Sequence, residues 1–206
     1  QRQMCIRDSN ITRAVKRGSG EGADAVNYET IMYEAYGPAG VAILIECLTD
    51  NRNRAVSDVR VAVTRNGGTM ADGGSVQRLF QRKGVVSVSK TYEVEEGRKT
   101  ETREVDEDQL MEATIDAEPE DIVDEGEVFE IISDPSAVVD VRKAVQDAGI
   151  DYDSAEVSFK PDFTQRVELE DARKLYRILD ALEDLDDVQN VFSNVDIPAE
   201  VAAALD

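Results

Sequence analysis

The chain has 206 residues, of which 44 are acidic and 23 are basic, and it contains no histidine. This length allows one large domain or two to three small ones, and a hydrophobic content of 41% is compatible with packed cores. The lack of histidine excludes a His-dependent catalytic triad and histidine metal ligands. No apolar run reaches the ~20 residues that a membrane span requires, so we expect no membrane partner. The two cysteines, Cys5 and Cys47, make no disulfide framework, which indicates a reducing cytoplasm.

Charge is distributed unevenly along the chain. Residues 1–90 contain 13 basic and 9 acidic side chains, whereas residues 91–206 contain 10 basic and 35 acidic ones. This asymmetry indicates an anionic partner for the front half, and a solvated or protein-binding surface for the rear half. The acidic clusters at residues 106–108 and 118–121 lack the spacing of a calcium-binding loop, so we predict no metal site and no cofactor.

The amino-terminal residues divide into two predicted segments. Residues 1–9 (QRQMCIRDS) have the residue pattern of neither a strand nor an amphipathic helix, and we interpret them as non-native sequence. Residues 10–22 are predicted to be the end of an amino-terminal helical domain and its linker, because a basic stretch is followed by GSGEG. Arg13, Lys16 and Arg17 in this stretch suit either phosphate contacts or compensation of the helix dipole.

The next residues predict a hairpin, a helix and a further strand. Thr30–Tyr36 alternates as a strand, and Val41–Leu48 is a mostly apolar strand on the other side of a GPAG turn. A helix with valines on its inner face follows, capped by Thr49 or Asp50 and ended by a pair of glycines. Gly84–Lys90 is a strand, so the β-β-α-β order indicates a helix packed on an antiparallel sheet.

The charged stretch Tyr92–Glu107 is predicted to be a solvated hairpin or a linker. The following elements are predicted to be two helices and three strands: Glu107–Ile115, Asp121–Val123, Glu127–Ile132, Pro135–Gly149 and Ala155–Lys160. Near the carboxyl terminus, Leu169–Leu182 has helical spacing, Val188–Phe192 is a strand and Ala199–Leu205 is a short helix.

The helix and strand near the carboxyl terminus supply the elements that the first module lacks. We therefore predict an α+β fold with two small ferredoxin-like antiparallel sheet-plus-helix domains and the remnant of an amino-terminal helical domain. The first α+β domain is discontinuous, with residues 23–91 and 162–206. The second domain, residues 92–161, is inserted into it.

Several phrases of the sequence resemble the YebC/PmpR family, which includes mitochondrial translational activators. They are YEAYGPAGVAILIECLTDNRNR, NGG, GGSVQRLFQRKGV and LEDLDDVQNVFSN. The resemblance implies an amino-terminal helical bundle followed by two α+β domains, and gene regulation through nucleic acid rather than catalysis. The basic amino-terminal signature of the family is missing from this sequence.

Five further cations are candidate nucleic-acid contacts. Arg52 and Arg54 lie at the start of the first predicted helix, where they suit phosphate or base contacts or a polar cap. Arg78, Arg82 and Lys83 lie near glycine-rich loops and form a basic patch or a solvated face. No stretch fits a nucleotide phosphate loop.

We therefore predict a non-catalytic regulator that binds DNA to control transcription. Two alternatives stay open: a ribosome-associated translation factor that contacts RNA, and a protein-binding module that uses the acidic rear half. Neither alternative needs an enzyme active site.

Overall fold

A computed structural model describes residues 27–96 and 99–204. The chain divides into two compact units, of which the first combines the residues up to Gln77 with those from Thr164 onward. The second unit is Arg78–Phe163. The two units therefore divide at different residues from the predicted 91/92 and 161/162. The predicted non-native segment and helical remnant, residues 1–22, lie outside the described residues.

The first unit contains a four-stranded sheet whose strands are β1 (Glu29–Tyr36), β2 (Ala42–Thr49), β3 (Thr69–Met70) and β11 (Val188–Ser193). Their order in the sheet is β11-β2-β1-β3. The antiparallel hairpin of β1 and β2 pairs Glu29 with Thr49 at one end and Tyr36 with Ala42 at the other. The predicted hairpin is therefore present, and its outer strand comes from a distant part of the chain.

Two helices pack together in the first unit, α1 (Arg52–Arg65) and α4 (Leu169–Glu183). Their apolar faces join the strands in one core that contains Ile43, Val59 and Ile178, none of which is exposed to solvent. The side chain of Asn51, rather than Thr49 or Asp50 as predicted, caps α1. Burial of this apolar surface is the main source of the stability of the unit.

Glu34 on β1 is buried without a cationic partner in the described part of the chain. Its carboxylate accepts hydrogen bonds from the backbone amides of Gly74 (2.5 Å), Val76 (2.5 Å) and Gln77 (3.0 Å). Burial raises the pKa of the Glu34 carboxyl, but the amide hydrogen bonds outweigh burial and hold the pKa below its ordinary value. The ionised carboxylate thus fixes the loop that follows β3.

The second unit contains a four-stranded antiparallel sheet in the order β7-β8-β4-β9. Its main elements, in chain order, are β4 (Phe80–Ser89), α2 (Glu107–Thr114), β7 (Asp121–Asp124), β8 (Val128–Ser133), α3 (Val138–Asp147) and β9 (Ser154–Pro161). This βαββαβ connectivity is the ferredoxin-like arrangement, whereas the first unit has a different strand order. The predicted α+β fold class is confirmed.

The strand predicted at Gly84–Lys90 belongs to the second sheet and not to the first. It is longer than predicted, and Gly84 pairs with both Ser133 on β8 and Val157 on β9. A Cβ atom on Gly84 would lie 2.6 Å from the Ser133 Oγ and 2.8 Å from the Val138 Cβ. The glycine is therefore required for the close approach of α3 to the sheet.

The remaining elements are short. The hairpin β5 (Thr91–Glu96) and β6 (Lys99–Glu104) occupies the charged stretch that was predicted as a hairpin or a linker. The parallel pair β10 (Gln165–Arg166) and β12 (Val195–Asp196) and the helix α5 (Ala199–Ala202) follow in the first unit. Among residues 27–96 and 99–204, none of the helices has the length and apolar character to cross a bilayer.

Replacing Gly84 by alanine should destabilise the second unit by about 1–3 kcal/mol, because the added methyl group overlaps Ser133 and α3. Chemical denaturation followed by circular dichroism measures this change. Gly73→Ala is the matched control, since a Cβ there meets nothing within 4 Å. Equal stability of the two variants would contradict the close packing at Gly84.

Replacing Glu34 by glutamine should lower the unfolding free energy at pH 7 by about 1–3 kcal/mol, because buried amides lose an ionised acceptor. Since the folded-state pKa of Glu34 is lowered, its contribution is present above the unfolded pKa of about 4.3 and disappears as the pH falls further. The urea midpoints of the two proteins should therefore differ at pH 7 and converge as the pH is lowered. Glu183→Gln, at the exposed end of α4, should cause no loss at pH 7.

Candidate nucleic-acid interface

Arg52 lies in the first turn of α1 and is already paired. Its Nε donates to the carboxylate of Glu29 at 2.6 Å, and its carbonyl oxygen accepts a hydrogen bond from the Tyr33 hydroxyl at 3.3 Å. Both side chains of the ion pair are partly exposed, so water and salt weaken it. The start of α1 is thereby held against β1.

Arg54 binds two carboxylates. Its Nε and Nη2 form a fork with the two oxygens of Asp187 at 3.0 and 2.8 Å, and Nη2 also donates to Asp50 at 2.8 Å. The Arg54 guanidinium lowers the pKa of the Asp187 carboxyl, and the carboxylates raise the pKa of Arg54 above its ordinary value. Bidentate pairing fixes the geometry of both partners. Arg54 therefore connects α1 to the turn before β11.

Arg78, Arg82 and Lys83 lie where the second unit begins. The Lys83 Nζ donates to Glu120 at 2.6 Å. Arg78 and Arg82 are exposed, and neither has an ion-pair partner among residues 27–96 and 99–204. Of the five described cations that the sequence predicts as contacts, only these two have a charge that no carboxylate compensates. Arg13, Lys16 and Arg17 lie outside the described residues.

The two tyrosines of β1 do not form an exposed aromatic surface. Tyr33 and Tyr36 are half-buried, and the Tyr33 hydroxyl donates a hydrogen bond within the first unit.

The outer face of α4 presents Arg173, Tyr176 and Arg177, which the sequence prediction did not include among the contacts. Their spacing of three and four residues places them on one side of the helix, which is the signal that could have identified them. Arg173 also donates to the Ala204 carbonyl at 3.3 Å.

The predicted acidic clusters have structural roles where the structure defines them. Asp106 caps α2, and its side chain accepts from the Gln109 amide at 2.8 Å. In the described ranges, no three metal-ligating side chains lie close enough together to hold an ion.

Cys47 is a buried free thiol, and burial raises its pKa to about 11, so it is a poor nucleophile.

Comparison with known proteins gives consistent matches over most of the chain. A family model described as the second and third domain of TACO1/YebC matches residues 28–195. A probable transcriptional regulatory protein of Cutibacterium acnes is 96% identical over 205 residues, covering 100% of this chain and 78% of that protein. A protein of the same description from Mycobacterium tuberculosis is 55% identical over 205 residues, covering 100% of this chain and 77% of its own length.

A solved structure also resembles this fold. The crystal structure of a conserved hypothetical protein from Aquifex aeolicus aligns with a TM-score of 0.76 at 37% sequence identity. The alignment covers 92% of this chain and 73% of that chain.

Replacing Arg54 by alanine should lower the melting temperature of the first unit, because Asp187 loses both hydrogen bonds from the guanidinium. Arg60→Ala is the control, since Arg60 is exposed on the same helix and has no ion-pair partner within the described residues. Calorimetry of Arg54→Ala, Asp187→Ala and the double variant should give less than additive losses. Additive losses would mean that the two side chains act independently.

Proposed function

Because the chain belongs to the TACO1/YebC family, we propose that it is a non-catalytic regulator of transcription that binds DNA in the cytoplasm. Its relatives from Cutibacterium acnes and Mycobacterium tuberculosis are named probable transcriptional regulatory proteins. The resemblance on which the sequence prediction rested is confirmed at the level of the family. DNA binding goes beyond those names and is argued from the surface.

The pair Arg78 and Arg82 carries this proposal. Both guanidinium groups are exposed, and no carboxylate in the described part of the chain pairs with either. Neutralising backbone phosphates releases counterions and supplies most of the non-specific affinity for DNA. An arginine that is already held by carboxylates, as Arg54 is, must break that pairing before it binds phosphate. Uncompensated arginines bind phosphate without this cost.

The overall charge around this pair limits the binding. Residues 78–163 contain 24 acidic and 10 basic side chains, a net charge of −14. At physiological ionic strength, charges more than about 8 Å away are largely screened. A phosphate contact therefore depends on the immediate surroundings of Arg78 and Arg82, while further phosphates that approach the rest of this unit meet a net negative charge.

A second function, association with the ribosome as a translation factor, would use the same arginines because RNA presents the same phosphates. The resemblance to mitochondrial translational activators supports it. Sedimentation of cell extracts separates the two proposals. A protein that regulates translation should move with ribosomal fractions, whereas a DNA-bound regulator should be released from the nucleoid by nuclease treatment.

DNA affinity should fall when Arg78 and Arg82 are both replaced by alanine. Fluorescence anisotropy of a labelled duplex at several salt concentrations measures this effect. The slope of log K against log salt should decrease by about 1 for each phosphate contact that is lost. Arg60→Ala/Arg65→Ala, on the exposed side of α1, removes the same charge and is the matched control. An unchanged slope in the Arg78/Arg82 variant would remove the observation on which DNA binding rests.

A further inference from the structure

Arg82, an exposed arginine without an ion-pair partner in the described part of the chain, lies beside a phenylalanine. In the antiparallel ladder of β4 and β9, Arg82 is directly opposite Phe159. The pairing continues beyond the strands, because the Asp162 amide donates to the Leu79 carbonyl at 2.9 Å. Arg78 precedes Leu79 and Phe163 follows Asp162 in the chain, so both residues lie near this end of the ladder, beyond the last strand pair. We call Arg78, Arg82, Phe159 and Phe163 the Arg–Phe corner.

The Arg–Phe corner is accessible. Phe163 has 51% of its surface exposed, and Arg78 and Arg82 are both exposed, whereas Phe159 is partly buried. Exposing half of a phenyl ring forgoes about half of the stabilisation that its full burial would give. Phe163 is not among the side chains of the apolar core of the second unit. Phe163 therefore offers an open aromatic face that the core of the unit does not use.

The other cations on the two strands are compensated on the opposite face. Neighbouring residues of a strand point to opposite sides of the sheet, so Lys83 faces away from Arg82. Lys83 pairs with Glu120, and Lys160 pairs with Glu130. Near the corner, Asp162 accepts from the Gln81 side chain at 2.6 Å instead of binding an arginine. Arg82, which has no ion-pair partner among the described residues, is thus on the side of the sheet that carries Phe159.

Another cation of the same sheet provides a useful contrast. The Lys90 Nζ lies 4.7 Å from the centre of the Phe129 ring, but it also pairs with Asp124 at 2.6 Å. Phe129 is only 5% exposed, so its ring is already covered. A cation beside a phenyl ring therefore completes the packing at Phe129, whereas the ring of Phe163 is open to solvent.

We propose that the Arg–Phe corner binds a single-stranded segment of nucleic acid, with arginines on phosphates and Phe163 stacked on a base. The proposal rests on the proposed nucleic-acid function and specifies its ligand. In a duplex the bases already stack on one another, so a phenyl ring at the surface gains nothing from them. In a single strand the base faces are free, and each base stacked on an aromatic side chain strengthens binding about 5- to 150-fold. Phosphates alone would not require the phenylalanine.

The test compares labelled dT and U oligomers of about 15 nucleotides, a length within the usual site sizes, with a duplex of the same length. Phe163→Ala should weaken binding of the single strands about tenfold and leave the duplex affinity unchanged. Phe163→Tyr should restore the affinity, because it keeps the aromatic face. Phe163→Leu should stay weak, because it keeps apolar volume without a ring. Ile115→Ala, at an exposed apolar side chain outside the corner, is the control.

The outcomes separate this inference from the function on which it rests. If Arg78→Ala/Arg82→Ala weakens binding but Phe163→Ala does not, the stacking role is wrong and the phosphate contacts remain. If neither variant changes binding of any oligomer, both proposals fail. Equal losses for dT and U support recognition of the shared base faces and phosphates. A loss confined to U oligomers identifies RNA as the source of the strand, and one confined to dT identifies DNA. Unchanged melting temperatures verify that each variant is folded.

Discussion

The antiparallel pairing of β2 with β11 is the interaction on which the first unit depends. It aligns Leu44 with Phe192 and Ile45 with Val191, although the second unit intervenes in the chain. The buried Asn194 reinforces the pairing, since its side chain accepts from the Ala42 amide at 2.8 Å while its own amide donates to the Ala42 carbonyl at 3.2 Å. Loop-closure entropy rises only logarithmically with loop length, so an inserted folded unit is compatible with this closure.

Local periodicity was sufficient to predict the helices. The spacing of Leu175, Ile178 and Leu182 identified α4, and all three side chains are buried in the core of the first unit. For apolar side chains of this kind, the spacing in the sequence alone indicates which positions are buried. The choice among neighbouring caps was less predictable, because Thr49, Asp50 and Asn51 all carry suitable oxygens. The backbone conformation at Asn51 decides the choice, and spacing does not encode it.

The sequence alone does not predict which strands pair with one another. The alternation in residues 84–90 predicts a strand, but the same pattern fits either sheet. Its partners are fixed by the contact of Gly84 with α3, whose residues lie about 50 positions later in the chain. The candidate contacts illustrate the same limit. Arg54 and Arg82 look alike in sequence, and the bidentate pairing of Arg54 with Asp187, 133 positions later, is visible only in the fold.

Charge compensation also bears on whether an acidic protein of this kind would bind a polyanion. Carboxylates hold Arg52, Arg54 and Lys83, so these cations stabilise the fold and contribute little free positive potential. Attraction is left to a few arginines, which gives weak and salt-sensitive binding unless another interaction adds to it. Base stacking is such an interaction, because it does not depend on net charge. It also tolerates any base sequence, so it distinguishes single strands from duplexes rather than one gene from another. Opened DNA during transcription and RNA during translation both present such strands, and a stacking surface therefore fits either setting for this family.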